Sequence, residues 1–244
     1  MGTLTVAVYW GPRPETPLAQ AGRWLDLLGR LDRLAGARLD WRWDVDSEEA
    51  PGGQLPSGKA DFAEALVAAN PQDDADLIGW TGQVVGAHPA GGQVRVRVRA
   101  GGEDEVSPFH AVLDLVAPPG TQDVPPPLAD HLPETLAAAA GAWDADTGLT
   151  YDREVFGEVK RAYGLRPSSP RAGWAVFLSA HRAALVPASF PGRRLAADHD
   201  GVVLDLAAAP GGPPSTATVV TAHQDLTDCG ALERRPQEPL RAKL

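Results

Sequence analysis

A single cysteine, Cys229, is all the chain has, which excludes an internal disulfide framework and a four-cysteine zinc site. Cys229 falls in a candidate last helix, where it reads as a small buried apolar residue. Export signals are lacking as well: no basic segment followed by an apolar stretch of about 7–15 residues opens the sequence. Nowhere do about 18 apolar residues run together, so no membrane span is expected and the chain should stay in the cytoplasm where it is made. Lysine is rare, and the formal net charge of −10 argues against a nucleic-acid binder, which needs clustered cations to displace phosphate counterions. The same charge suits a partner that is itself basic, although an acidic excess also serves plain solubility. The six histidines, at 88, 110, 131, 181, 199 and 223, include no pair at helical i, i+4 spacing, so a zinc enzyme has nothing to build on. Ser57 and Ser179, the serines nearest a glycine or a histidine, lack the strand-to-helix elbow G-x-S-x-G.

What is present is an ordinary apolar fraction in 244 residues, enough for one large domain or two small halves. Leu4, Val6 and Val8 alternate with Thr3, Thr5 and Ala7, the pattern of a half-buried strand. Tyr9-Trp10-Gly11-Pro12-Arg13-Pro14-Glu15 stops it, and Thr16-Pro17 supplies an N-cap with proline at the first helical position. Leu18, Ala21, Leu25, Leu28, Leu31 and Ala35 then recur at helical steps, and Gly36 is placed to end that helix. Trp41-Arg42-Trp43-Asp44-Val45-Asp46 alternates apolar with charged residues, as a short strand with two indoles on one face would. Ser57 is expected to cap a second helix carrying Phe62, Ala65, Leu66 and Ala69 inward and closed by Asn70-Pro71.

From Leu77 the pattern turns to sheet, with strands expected at 77–80, 83–87, 93–100 and 111–116. Valines 94, 96 and 98 alternate with Arg95, Arg97 and Arg99, which reads as a solvated sheet face or a charged edge strand; a nucleic-acid stripe would need interleaved aromatics. The proline-rich residues 118–127 form a connector between an N-terminal half, 1–117, and a C-terminal half, 128–232, followed by a polar tail, 233–244. In the second half helices are expected from Ala129 to Ala142 and from an Asp152 cap to Tyr163. Strands are expected at 174–178, 193–197 and 202–207, and a last helix at 216–232. The fold class is α+β: a mostly antiparallel sheet packed with helices, in two halves that each combine both and together make one compact domain, expected to be a monomer.

Three stretches imitate chemical sites. Gly53-Gln54-Leu55-Pro56-Ser57-Gly58-Lys59-Ala60 has the G-x-x-x-x-G-K spacing of a phosphate-binding loop. It ends in Ala60, which has no hydroxyl for magnesium, and an acidic loop precedes it where a hydrophobic strand should. A nucleotide- or phosphate-binding enzyme using Gly53 to Lys59 is the alternative this leaves. Asp144-Ala145-Asp146-Thr147-Gly148 begins like a calcium loop but lacks the later ligands, so a turn joining helix to helix is the simpler account. Asp198-His199-Asp200-Gly201 reads as a strand-joining turn, with Asp200-Gly201 suited to positive φ. No catalytic set, cofactor site or metal site is expected.

Five motifs in order carry a resemblance: V-A-V-Y-W-G-P-R-P-E at the start, L-I-G-W-T-G-Q at 77–83, A-V-L-D-L at 111–115, A-W-D-A-D at 142–146 and G-W-A-V-F-L-S at 173–179. Together they are similar to landmarks of the immunity protein 52 family of bacterial polymorphic toxin systems, and they fade between Arg38 and Asp76. The resemblance implies an intracellular protein that binds and neutralises a cognate toxin, most often one with a restriction-endonuclease-like nuclease domain. A nuclease cleft is basic, so the expected contacts are acidic residues with tryptophan anchors: Trp41, Trp43, Asp44, Asp46, Glu48, Glu49, Asp73, Asp74, Asp76, Glu103, Asp104 and Glu105.

Overall fold

The computed structural model describes residues 3–44, 53–104, 109–120, 126–166, 169–207 and 212–233, and of Asp76 the backbone only. In chain order the elements are β1 (Leu4–Trp10), α1 (Pro17–Leu34), β2 (Asp40–Trp43), α2 (Lys59–Ala68), α3 (Ala75–Ile78), β3 (Trp80–Ala87), β4 (Gln93–Ala100) and β5 (Phe109–Val116). There follow α4 (Leu132–Trp143), β6 (Thr147–Asp152), α5 (Arg153–Tyr163), β7 (Ala175–Leu178), α6 (Ala180–Ala183), β8 (Arg193–Ala196), β9 (Val202–Asp205) and α7 (Thr216–Asp228). The strands form one sheet in the order β2-β3-β4-β5-β1-β6-β7-β9-β8, antiparallel at every pairing. The class is α+β, with the sheet continuous from the first half of the chain into the second.

Strand periodicity sets the two faces. Val6, Val8, Val94, Val96, Val98, Leu113, Phe177 and Val203 point to one side, where Trp24 and Leu27 of α1, Phe62 of α2 and Leu136 and Trp143 of α4 complete a core. Their neighbours Val176, Leu178 and Leu204 point to the other side and pack under Val155 and Val159 of α5 and Val219 and Leu226 of α7. Among the described residues no cluster of that kind covers the second face of β3, β4 and β5, where the arginine row lies. One helix-covered and one solvated face is the usual arrangement for antiparallel strands.

Helix ends follow local chemistry. Thr16 accepts a hydrogen bond from the Ala19 amide with Pro17 at the first helical position, and Asp152 caps α5 through the Val155 amide. Gly36 follows the last turn of α1 at φ +64. Asn70 closes α2 and holds the motif strand in place: its amide donates to the carbonyls of Leu66 and Thr81 and its Oδ1 accepts from the Thr81 amide.

Several expectations are corrected. The strand expected at 77–80 is met only at Trp80, where β3 begins; Leu77 and Ile78 end the short helix α3, and the chain turns at Gly79, φ +89, into β3. The 144–148 stretch does not link helix to helix: Asp144, φ 45, ends α4, and residues 147–152 form β6 beside β1. β1 is buried along nearly its whole length and not half-buried: Leu4, Val6, Val8 and Trp10 lie in the core, and Thr5 and Ala7 on the other face are also shielded, with β5 and β6 on either side. Gly58, not Ser57, is the N-cap of α2, with no side-chain cap bond. Leu18 is 49% exposed, and Trp24 and Leu27 occupy the buried stripe of α1 instead. β4 is an inner strand, not an edge. In the β8–β9 turn, positive φ falls on His199 and Asp200, while Gly201 is extended. The last helix stops at Asp228, and Cys229, half-buried, donates its thiol to the Leu226 carbonyl.

Candidate functional site

The register brings one end of six strands together. Trp80 lies opposite Ala100, Arg99 opposite His110, Trp10 opposite Phe109, Tyr9 opposite Thr147, and Thr147 opposite Leu178. The segments beyond these ends therefore share one rim of the sheet: α3, residues 101–104, residues 11–16, residues 144–146 and Ser179. Backbone hydrogen bonds tie them in sequence. The Leu77 carbonyl accepts from the amides of Glu103 (2.9 Å) and Asp104 (3.0 Å), Arg13 and Glu15 donate to the carbonyls of Gly102 and Gly101, and Asp146 donates to Tyr9. β2 runs toward the same rim, with the Asp44 amide bonded to the Gln83 carbonyl.

Glycines make this close packing possible. A Cβ on Gly79 would lie 2.6 Å from the Phe109 ring and 2.9 Å from the Ala100 carbonyl, and one on Gly102 would lie 2.5 Å from the Leu77 carbonyl. The glycine of L-I-G-W-T-G-Q is thus fixed by backbone crowding as well as by its positive φ. The other motifs meet on the same rim. Asp146 accepts from Ser179 Oγ at 3.0 Å and from Arg182 at 3.0 Å, and Arg13 reaches the Trp143 carbonyl at 2.7 Å and Asp144 at 3.4 Å. Arg182, buried, also donates to the carbonyls of Ala231 and Glu233.

Two of the expected acidic segments lie side by side on this rim. Asp73, Asp74 and Glu103 are exposed, and Leu77 among them is 55% exposed. Asp104 instead pairs with Arg99 at 2.8 Å, and Asp44 with Arg95 at 2.9 Å while accepting from Gln83. Arg97 completes the row by pairing with Asp114 at 2.8 Å. Each arginine of β4 is thereby matched by a carboxylate, and the row carries no surplus positive charge for a phosphate backbone. Trp41 is half-buried, its indole donating to Asp32 at 2.9 Å and lying over Gly86. Trp43 is only 4% exposed and packs on Phe62 in the core. Asp46, Glu48, Glu49 and Glu105 lie outside the described residues, as does the side chain of Asp76. Leu77, Arg13, Asp144 and Asp146 belong to the rim but were not expected there; the signal available was the strand register, which a sequence pattern does not give.

The imitations of chemical sites resolve differently. Gln54 bridges Arg42 at the sheet edge, and Lys59, exposed, lies across Gly22 of α1 rather than back over its own loop. A phosphate-binding lysine must fold back over the loop that cradles the phosphate. Ser179, His181 and Asp146 meet, with Ser179 Oγ 3.2 Å from His181 Nδ1. The acid, however, accepts the serine hydroxyl's hydrogen bond directly and is itself held by Arg182, so the hydroxyl is tied down and buried at the start of α6. Among the described residues no three His, Cys, Asp or Glu side chains cluster as metal ligands, and no helix is long and apolar enough to cross a membrane.

Two tyrosines on the open face are shifted by burial. The Tyr9 phenol is pushed up to about 12, chiefly by loss of solvent and then by Tyr151, with Arg171 opposing. Tyr151 is raised by burial and by Asp114. Both stay protonated at neutral pH.

No family model matches the chain, and no curated protein matches it. Among solved structures it is similar to a Pseudomonas aeruginosa T6SS protein, at 13% sequence identity and a TM-score of 0.48, over 95% of this chain and 74% of that one.

Proposed function

We propose that this protein is an immunity protein that binds a cognate bacterial toxin through protein–protein contact, performs no reaction of its own, and so neutralises a nuclease. The observation that carries the reading is the convergence of Asp73, Asp74 and Glu103, distant in sequence, around exposed Leu77 on one rim. An apolar centre with a charged border is a common interface plan. A nuclease must attract a polyanion, so its cleft is basic, and a protein of net charge −10 is steered to it rapidly. The motif resemblance supplies the toxin class.

The test is co-expression with the product of the neighbouring reading frame, followed by pull-down and a killing assay. A complex that protects cells, and that forms more slowly as salt is raised, is the expected result. Equal killing with and without this protein, together with no association, would overturn the proposal.

A further inference from the structure

We propose that the groove on the open side of the sheet, where β1, β4 and β5 meet the start of α5, is a binding site for a small aromatic carboxylate. It encloses about 330 Å³, at the lower end of the range of roughly 300–1,000 Å³ for small-molecule sites. Its two kinds of lining select such a ligand. Phe156 and Val116 form the apolar walls. Phe156 is held by the Tyr151 ring, 4.7 Å between centroids, and by the Arg171 guanidinium 4.2 Å over its face, so the wall is in place before any ligand arrives.

The lining of the groove holds two arginines against one carboxylate, although the molecule as a whole is acidic. Asp114, the carboxylate in the groove, is already engaged: Oδ1 accepts from Thr5 Oγ1 at 3.0 Å and Oδ2 from Arg97 at 2.8 Å. Arg153 is exposed and makes no ion pair among the described residues. Arg95 sits with Nε 2.9 Å from Asp44, and its terminal nitrogens make no hydrogen bond among the described residues. Two guanidinium groups therefore line the same groove, and their planar forks match a carboxylate. Phe156 and Val116 offer apolar contact to a flat ring, and an arginine can stack on such a ring. The site lies on the sheet face, apart from the rim assigned to the toxin, and stands whether or not that assignment holds.

Amide NMR of the full chain titrated with benzoate, and separately with benzylamine of the same shape and opposite charge, tests it. Saturable shifts at Thr5, Val116, Tyr151 and Phe156 with benzoate alone are expected. Arg153→Glu, which places an acid in the first turn of α5 where it is tolerated, should weaken benzoate binding about tenfold or more. Arg95→Gln should weaken it as well. No saturable shift, equal shifts with benzylamine, or full binding by both variants would overturn the proposal.

Discussion

Trp10 and Trp143 stack with ring centroids 5.3 Å apart and planes within 5° of parallel. One ends β1 and the other ends α4, and Trp24 of α1 meets Trp143 edge-on at 6.0 Å. Arg13 lies 5.7 Å over Trp10 and donates to the Trp143 carbonyl, so three elements from both halves of the chain are fastened at one point. Truncating a buried tryptophan costs about 3–5 kcal/mol, and the stacked geometry adds roughly 0.5–1.5 kcal/mol beyond area. Trp143→Ala should therefore lower the urea midpoint sharply, and Trp10→Ala with Trp143→Ala should cost about 1 kcal/mol less than the two single changes summed. Strict additivity would mean that the stack contributes nothing of its own.

The elements that were legible in the sequence are those fixed by local chemistry. Thr16-Pro17 and Asp152 set helix starts through their own side chains, and the Val94–Val98 alternation set a strand with one apolar face. The failures lie where burial is set by distant partners. Residues 147–152 show no alternation because a strand at the centre of the sheet, with β1 on one side and β7 on the other, is covered on both faces. The rim was half legible: the charge of Asp73, Asp74 and Glu103 was visible, but their meeting around Leu77 depends on the pairing of Trp80 with Ala100. Trp43 looked like a contact residue for the same reason that it packs well in the core, since a large aromatic serves either end.

Gly79 gives a test of the rim that leaves its charge untouched. Its φ of +89 disfavours any side chain, and an added Cβ would meet Phe109 and the Ala100 carbonyl. Gly79→Ala should destabilise the protein by about 1–3 kcal/mol, measured by urea unfolding. Gly157, which faces open space on α5, should accept alanine with a small gain, because helical glycine costs about 1 kcal/mol relative to alanine.

His223 makes the fold sensitive to acid. Its Nδ1 lies 3.3 Å from the Ala172 amide, which donates to it, and the ring packs against Tyr163 at 4.5 Å, tilted by 50°. Burial, and then the nearby Arg171, push the imidazole down from 6.5 to about 4. The unfolded chain takes up the proton near 6.5 and the folded chain only near 4, so the unfolded state holds more protons between those values. The stabilisation is complete above about pH 6.5 and is lost as pH falls toward 4, at up to about 1.4 kcal/mol per unit. His223→Asn, which keeps an acceptor near the Nδ1 position, should flatten this part of the stability profile. An unchanged slope between about pH 6.5 and pH 4.5 would assign the acid sensitivity to other groups.

Charge changes on the rim separate binding from folding. Asp73, Asp74 and Glu103 are exposed, so Asp73→Lys, Asp74→Lys and Glu103→Lys should each move stability by less than about 0.5 kcal/mol. Asp104 and Asp44 neutralise Arg99 and Arg95, and replacing either by Asn should cost about 0.5–1 kcal/mol, being partly exposed pairs. Combining the three lysine changes reverses the sign of the exposed rim, which should slow association with a basic partner about tenfold or more at low salt and leave dissociation less affected. Leu77→Ala should do the opposite, leaving the on-rate near its original value and speeding dissociation, because an apolar contact acts after encounter. Surface plasmon resonance with the proposed partner reads both rates. If the triple lysine variant associates as fast as the original chain, the partner meets the protein on another surface.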